Sequence, residues 1–352
     1  MKTNFLLVLL LVGIAAASQN KGVDANGVTS LGAGQVPDLA TSGNTVHAVW
    51  GRGDSILYAF SANRGQTFSA PEVVGVLPKL FSFAMRGPQV AAISGGACII
   101  ACNQQGDLIA YQKTGTGHWR KTGKVNDVDT IAKEGFLDLA SDGRGNLFAA
   151  WLDLRKGRRN NIAGARSTDG GKTWSANRLL YMSPDGHVCE CCKPSVAVQG
   201  RQVAVQFRNW VKGSRDLWLL RSSDGGQTFG PAEKLGTGTW KLDACPMDGG
   251  GLALQKSGAV QTVWRRKDTL FAYSPGKPET GLATGKSCAL ELVAGRPVYA
   301  WVEKGEIVLL TPGGEKRHLG KGSLPVVKPV GDSRVIVAWE NDKEIQKAVV
   351  DL

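Results

Sequence analysis

The stretch His187-Val188-Cys189-Glu190-Cys191-Cys192 places three thiols, an imidazole and a carboxylate side by side. Thiolate and imidazole together suit a soft ion, with copper or zinc as the candidate metals. A second stretch, Asp243-Ala244-Cys245-Pro246-Met247-Asp248, adds a thiol, a thioether and two carboxylates, and Cys288 follows. The expected ligand set is Cys189, Cys191, Cys192, Cys245, Met247 and His187, although the spacing matches no standard zinc-finger pattern. Disulfide bonding competes with this reading, because an exported chain favours it and Cys191 or Cys192 could staple to Cys245. The seven cysteines are an odd number, so at least one thiol stays unpaired within a monomer. The two states could also alternate as a redox site. Cys98 and Cys102 share one face of an apolar run, where Cys98 behaves as a small hydrophobe.

Polar residues flank these stretches. Arg208, Arg215 and Asp153 read as a partly cationic rim for an anionic ligand, or alternatively as ion pairs that satisfy one another. Glu190, Asp243 and Asp248 are candidate acids, and two carboxylates astride a cleft can hydrolyse a glycoside. Phosphate-binding glycine motifs, HExxH and a nucleophile elbow are absent. What the candidates do depends on which elements bring them together.

Those elements repeat. Ser167-Thr-Asp-Gly-Gly-Lys-Thr-Trp174 recurs as Ser222 to Phe229 and, more weakly, as Ser61 to Phe68. The Asp or Asn can bond the backbone just beyond it, the glycines allow positive φ, and the closing aromatic supplies buried area. A second repeat is a short apolar run ending in Trp50, Trp151, Trp264, Trp301 or Trp339, with Ala101 and Gln206 assigned to the same slot in two further units. The units start near Val36, Gly87, Gly135, Cys192, Cys245, Ser287 and Leu324, a spacing that suits a four-stranded propeller blade. The fold expected is an all-β propeller with seven blades, or six as the alternative. The last unit lacks a fourth strand, which residues 23 to 31 could supply, closing the ring. Strand alternation then puts the aspartate turns on one face and the candidate site on the other.

The aspartate turn resembles the Asp-box (BNR) repeat of the sialidase-like β-propeller superfamily. That resemblance implies an exo-acting glycoside hydrolase of the sialidase type (exo-alpha-sialidase), with an arginine triad, a Tyr–Glu nucleophile pair and an Asp acid/base. Where the family carries its first arginine, this chain reads Gln35-Val36-Pro37, so one leg of the triad is replaced. The upper-face arginines Arg86, Arg208, Arg215, Arg265 and Arg266 sit in none of the family's motifs. Sialidases have six blades, and a seventh looks more like the photosystem assembly-factor type of propeller.

Residues 1–18 read as a secretory signal peptide and 19–352 as a single propeller domain, secreted or periplasmic, with no membrane span. The net charge of +12 points to an anionic glycan, a small anionic ligand or a partner protein. The basic residues are scattered, so no nucleic acid is expected. The leading expectation is a ligand-binding or metal-handling scaffold. The glycosidase is the first alternative, and a disulfide-pinned protein-interaction propeller the second.

Overall fold

A computed structural model describes residues 27–352; the expected signal peptide lies outside them. Seven four-stranded antiparallel sheets form the ring, so the seven-bladed expectation holds and the six-bladed one does not. The innermost strands of blades one to seven are Gln35–Ser42, Gln89–Ile93, Leu137–Ser141, Ser195–Gln199, Gly250–Leu254, Lys286–Val293 and Ser323–Pro329. They line a central channel. The seventh blade takes its outermost strand, Thr29–Ala33, from the other end of the chain, where it pairs with Glu344–Asp351 from Thr29↔Lys347 to Ala33↔Glu344. Ring closure thus uses the expected device with a slightly later segment. It leaves no blade with an unfinished sheet.

Tryptophans fill the seams between blades. Trp50, Trp151, Trp301 and Trp339 are almost wholly buried. Burying 150–250 Å² of indole is worth roughly 4–6 kcal/mol before ordering costs. Trp50 and Trp339 also donate Nε1–H to the carbonyls of Ala33 and Lys321 in the preceding blade, both at 3.0 Å. The residue after each carbonyl is a glycine at positive φ, Gly34 and Gly322, and an added Cβ would stand 2.1 and 2.3 Å from the indole Cδ1. Close approach of the ring demands glycine there.

Blade four corrects one sequence assignment. Asp138 pairs with Ala150 just before Trp151, and Ser195 pairs with Gln206 in the corresponding register. Phe207, not Gln206, therefore occupies the seam slot, buried against Tyr181 of blade three with ring centroids 4.9 Å apart. A one-residue offset sends a strand side chain to the opposite face, and so Gln206 points toward blade five.

The aspartate turns form as read. Asp169 Oδ1 accepts from Ser167 Oγ at 2.8 Å and from the Thr173 amide at 3.0 Å, and Oδ2 accepts from Thr173 Oγ1 at 2.6 Å. Asp224 repeats the pattern, and Asn63 keeps it by donating Nδ2–H to Thr67 Oγ1 at 2.9 Å. The Arg64, Gly170 and Gly225 amides reach carbonyls of Asn44, Gly145 and Arg201, in the hairpins that join the two inner strands of their blades. The turns and those hairpins share one face. Residues 183 to 193 and 209 to 216 gather on the other.

Candidate metal centre

The segment entering blade four is held like an extra strand. The Val188 amide donates to Asn160 O at 2.9 Å and the Cys189 amide to Arg208 O at 3.0 Å, beside a bridge between Val188 and Asn209. Glu190 turns outward, where Oε1 accepts from the Asn160 amide at 2.9 Å and from Asn160 Nδ2 at 3.1 Å. The cysteines on either side turn inward. Cys189, Cys191 and Cys192 form a buried group of their own, with one sulfur from each lying within 4.8 Å of the others. Cys189 Sγ is 3.7 Å from Cys191 Sγ and 3.6 Å from Cys192 Sγ.

The facing wall is Arg215. Lys212 and Gly213 have φ of +48° and +76°, making the tight turn that two consecutive positive φ values produce. The turn is tied down by the Lys212 amide donating to Asp185 Oδ2 at 2.6 Å. Arg215 emerges from it with its guanidinium 4.3 Å from the Trp210 ring centroid, Nε donating to Leu242 O at 3.0 Å and Nη1 to Cys189 Sγ at 3.0 Å. Hydrogen bonds with the Cys191 and Cys192 thiols, together with the charges of Arg208 and Arg215, lower the pKa of the Cys189 thiol. The Cys191 thiol is driven the other way, chiefly by its bond to Cys189, and Cys192 is raised first by burial.

Three of the six expected ligands therefore meet and three do not. Cys245 and Met247 are exposed, on a segment whose inward groups are Pro246 and Asp248. His187 Nδ1 engages Val188 O at 2.9 Å while its ring lies parallel to Trp210, so it stands outside the sulfur cluster. All seven cysteines are free thiols. The Cys191–Cys245 and Cys192–Cys245 staples are not present, since one end is buried and the other faces solvent.

The expected anion rim is also placed differently. Arg208 is 2% exposed, and its guanidinium donates to the carbonyls of Arg215 at 2.8 Å, Arg265 at 3.1 Å and Asp248 at 3.5 Å. Asp248 is buried against Arg265, with Nε to Oδ2 at 2.7 Å, and burial raises its pKa against the pull of Arg208 and Arg265. Asp153 is fully buried, accepting from Arg155 and from Trp151 Nε1. Arg86 donates to Glu134 O at 2.6 Å and lies 4.0 Å from the Phe136 centroid, and Arg266 pairs with Glu279. Gln35 Nε2 and the Val36 amide both bond Glu340. Asp243 is exposed. The arginines and buried acids on this face are occupied with the fold itself.

What the sequence reading missed lies inside the channel. Asp38, Asp138, Glu291 and Lys328 border the cavities above and below, and Lys193 reaches in from beside the cysteines. Lys193 Nζ meets Asp138 Oδ1 at 3.0 Å and Gln89 Oε1 at 2.7 Å, and Lys328 pairs with Glu291. These charges stand on, or just before, inner strands of different blades, so no local spacing could announce them.

No protein-family model matches the chain, and no curated protein matches it. Among solved structures it is similar to the BP39L lectin from Burkholderia pseudomallei, at 10% identity and TM-score 0.61 over 90% of this chain and 96% of that one. Virginiamycin B lyase from Staphylococcus aureus aligns at 13% identity and TM-score 0.54, over 92% and 99% of the two chains. YCF48 bound to a D1 peptide aligns at 13% and 0.54, over 92% and 95%. Sialidases match too, at TM-scores of 0.47 and 0.48 over 68% of their own chains. These likenesses show the propeller fold and leave activity to the site.

Proposed function

We propose that this protein is an exported metal-handling propeller, secreted or periplasmic, in which Cys189, Cys191 and Cys192 hold one thiophilic ion. The observation that carries the reading is that three buried sulfurs lie within 4.8 Å of one another. The donor set fits: zinc–thiolate bonds of about 2.3 Å at tetrahedral angles separate sulfurs by about 3.8 Å, against 3.6 and 3.7 Å here. Three thiolates without a fourth His or carboxylate in the cluster favour copper(I), which accepts low coordination and soft ligands, over zinc, which takes four. Bound there, the ion would supply soft Lewis acidity or carriage of the metal itself. The chain's own groups do the rest. Arg215 donates to the Cys189 sulfur, Arg215 and Arg208 offset the negative charge of the sulfurs, and burial keeps water and oxidants away.

The test is anaerobic titration of the reduced protein with copper(I) against a chromophoric chelator. One equivalent should bind tightly, with thiolate-to-metal absorption in the near ultraviolet, and the Cys191→Ser/Cys192→Ser double variant should lose both. Failure of the parent protein to compete for either copper(I) or zinc would end the reading.

A further inference from the structure

The cavity above the channel's charged layer, about 170 Å³, offers a second site. It is smaller than the roughly 300–1,000 Å³ of pockets for drug-sized ligands, which suits one ring rather than a chain of them. Its walls are apolar on one side, where Val36, Pro37, Leu324 and Pro325 of blades one and seven face it. Blade five contributes the run Gly249-Gly250-Gly251, which brings no side chain into the space. The floor is charged with both signs. Of the four carboxylates that line the cavity, three have a cationic partner, Glu291 in Lys328, Asp138 in Lys193 and Asp248 in Arg265. Asp38 has none at bonding distance among the described residues: its Oδ2 accepts the Val90 amide at 2.8 Å, and the other oxygen has no hydrogen-bond donor. Burial raises the Asp38 pKa, while the fields of Lys193 and Lys328 oppose the rise.

A floor of this kind discriminates against negative charge. An anion at Asp38 would meet more carboxylates than ammoniums, and both ammoniums are already paired. A neutral polyol meets no such penalty, because each hydroxyl both donates and accepts. Leaving a buried polar group unmatched costs more than an ordinary contact returns, so the match of donors and acceptors decides selectivity.

We propose that this cavity binds a neutral, polyhydroxylated six-membered ring, a hexopyranose or an equivalent cyclitol. One hydroxyl donates to Asp38 and its neighbours accept from Lys193 and Lys328, with a C–H face against Pro37 and Pro325. The proposal stands on the channel alone and is independent of the thiol site.

The experiment is saturation-transfer NMR and calorimetry on the protein with D-glucose, D-galactose, D-mannose, L-fucose and myo-inositol, beside the anionic sugars glucuronate and N-acetylneuraminate. At least one neutral ring should bind, ten-fold or more tighter than either anionic one. Asp38→Asn should weaken it ten-fold or more, and the Cys191→Ser/Cys192→Ser variant should not change it. Lys193→Met provides the same readout should Asp38→Asn fail to fold. Silence from all the neutral rings overturns the proposal, as does equal or tighter binding of an anionic probe. Unchanged affinity in the folded channel variants overturns it as well.

Discussion

Arg215 Nη1 stands 3.0 Å from Cys189 Sγ, and the same guanidinium lies over the Trp210 ring, 4.3 Å from its centroid, with Nε bonded to Leu242 O. Three restraints fix one cation against one sulfur. Planar, permanently charged arginine can do this where a flexible lysine ammonium cannot.

Replacing that cation should therefore loosen the ion without emptying the site. Arg215→Leu is expected to lower copper(I) affinity by about 10- to 100-fold, the usual cost of losing a group that supports a metal ligand, with Arg215→Lys in between. Chelator competition at constant pH reads the difference.

The ligand set should be narrow. Cys245→Ser and His187→Ala are each expected to retain one bound equivalent, because Cys245 is exposed and His187 is turned to Val188 O. Any single serine among Cys189, Cys191 and Cys192 should abolish tight binding. Loss of stoichiometry in Cys245→Ser would mean that a fourth thiol joins the site.

His47 gives the fold a pH dependence of its own. Burial lowers its pKa from 6.5 to about 4, with Nδ1 2.7 Å from Tyr58 Oη. Between those pH values the unfolded chain takes up a proton that the folded one refuses, so stability falls as pH falls. The full contribution is about 3 kcal/mol, present above pH 6.5 and lost through pH 4. Urea melts across this window should show a shallower slope in His47→Gln; an unchanged slope would remove His47 as the cause.

Seam geometry and turn chemistry predict separable losses. Gly34→Ala drives a methyl into Trp50 and should cost about 1–3 kcal/mol as overpacking. Asp169→Ala removes the acceptor for Ser167 and Thr173 and should cost about 1–2 kcal/mol. Neither should alter copper(I) affinity, since neither touches Cys189, Cys191 or Cys192. Denaturant midpoints and chelator titrations on the same preparations test both halves.

Repetition made the fold legible. Each aspartate turn carries its own geometry in adjacent residues, and five seam tryptophans mark where blades begin even when register slips by one at Phe207. The thiol cluster was half legible, because Cys189, Cys191 and Cys192 are local to one segment. Its exclusion of Cys245, Met247 and His187 depends on which way neighbouring backbones turn. Arg208 looked like an anion contact from its loop position alone; only the structure reveals that three carbonyls already claim it. The channel charges were illegible, since Asp38 and Lys193 become neighbours solely through closure of the ring.

The strand Thr29–Ala33 has a kinetic meaning as well as a structural one. Six blades can assemble from contiguous chain as it emerges, but the seventh waits for both termini to find each other, the slowest kind of search. Until they do, Glu344–Asp351 presents an open ladder that a second molecule can capture. Crowded refolding should accordingly yield strand-exchanged dimers, and dilution should favour monomers.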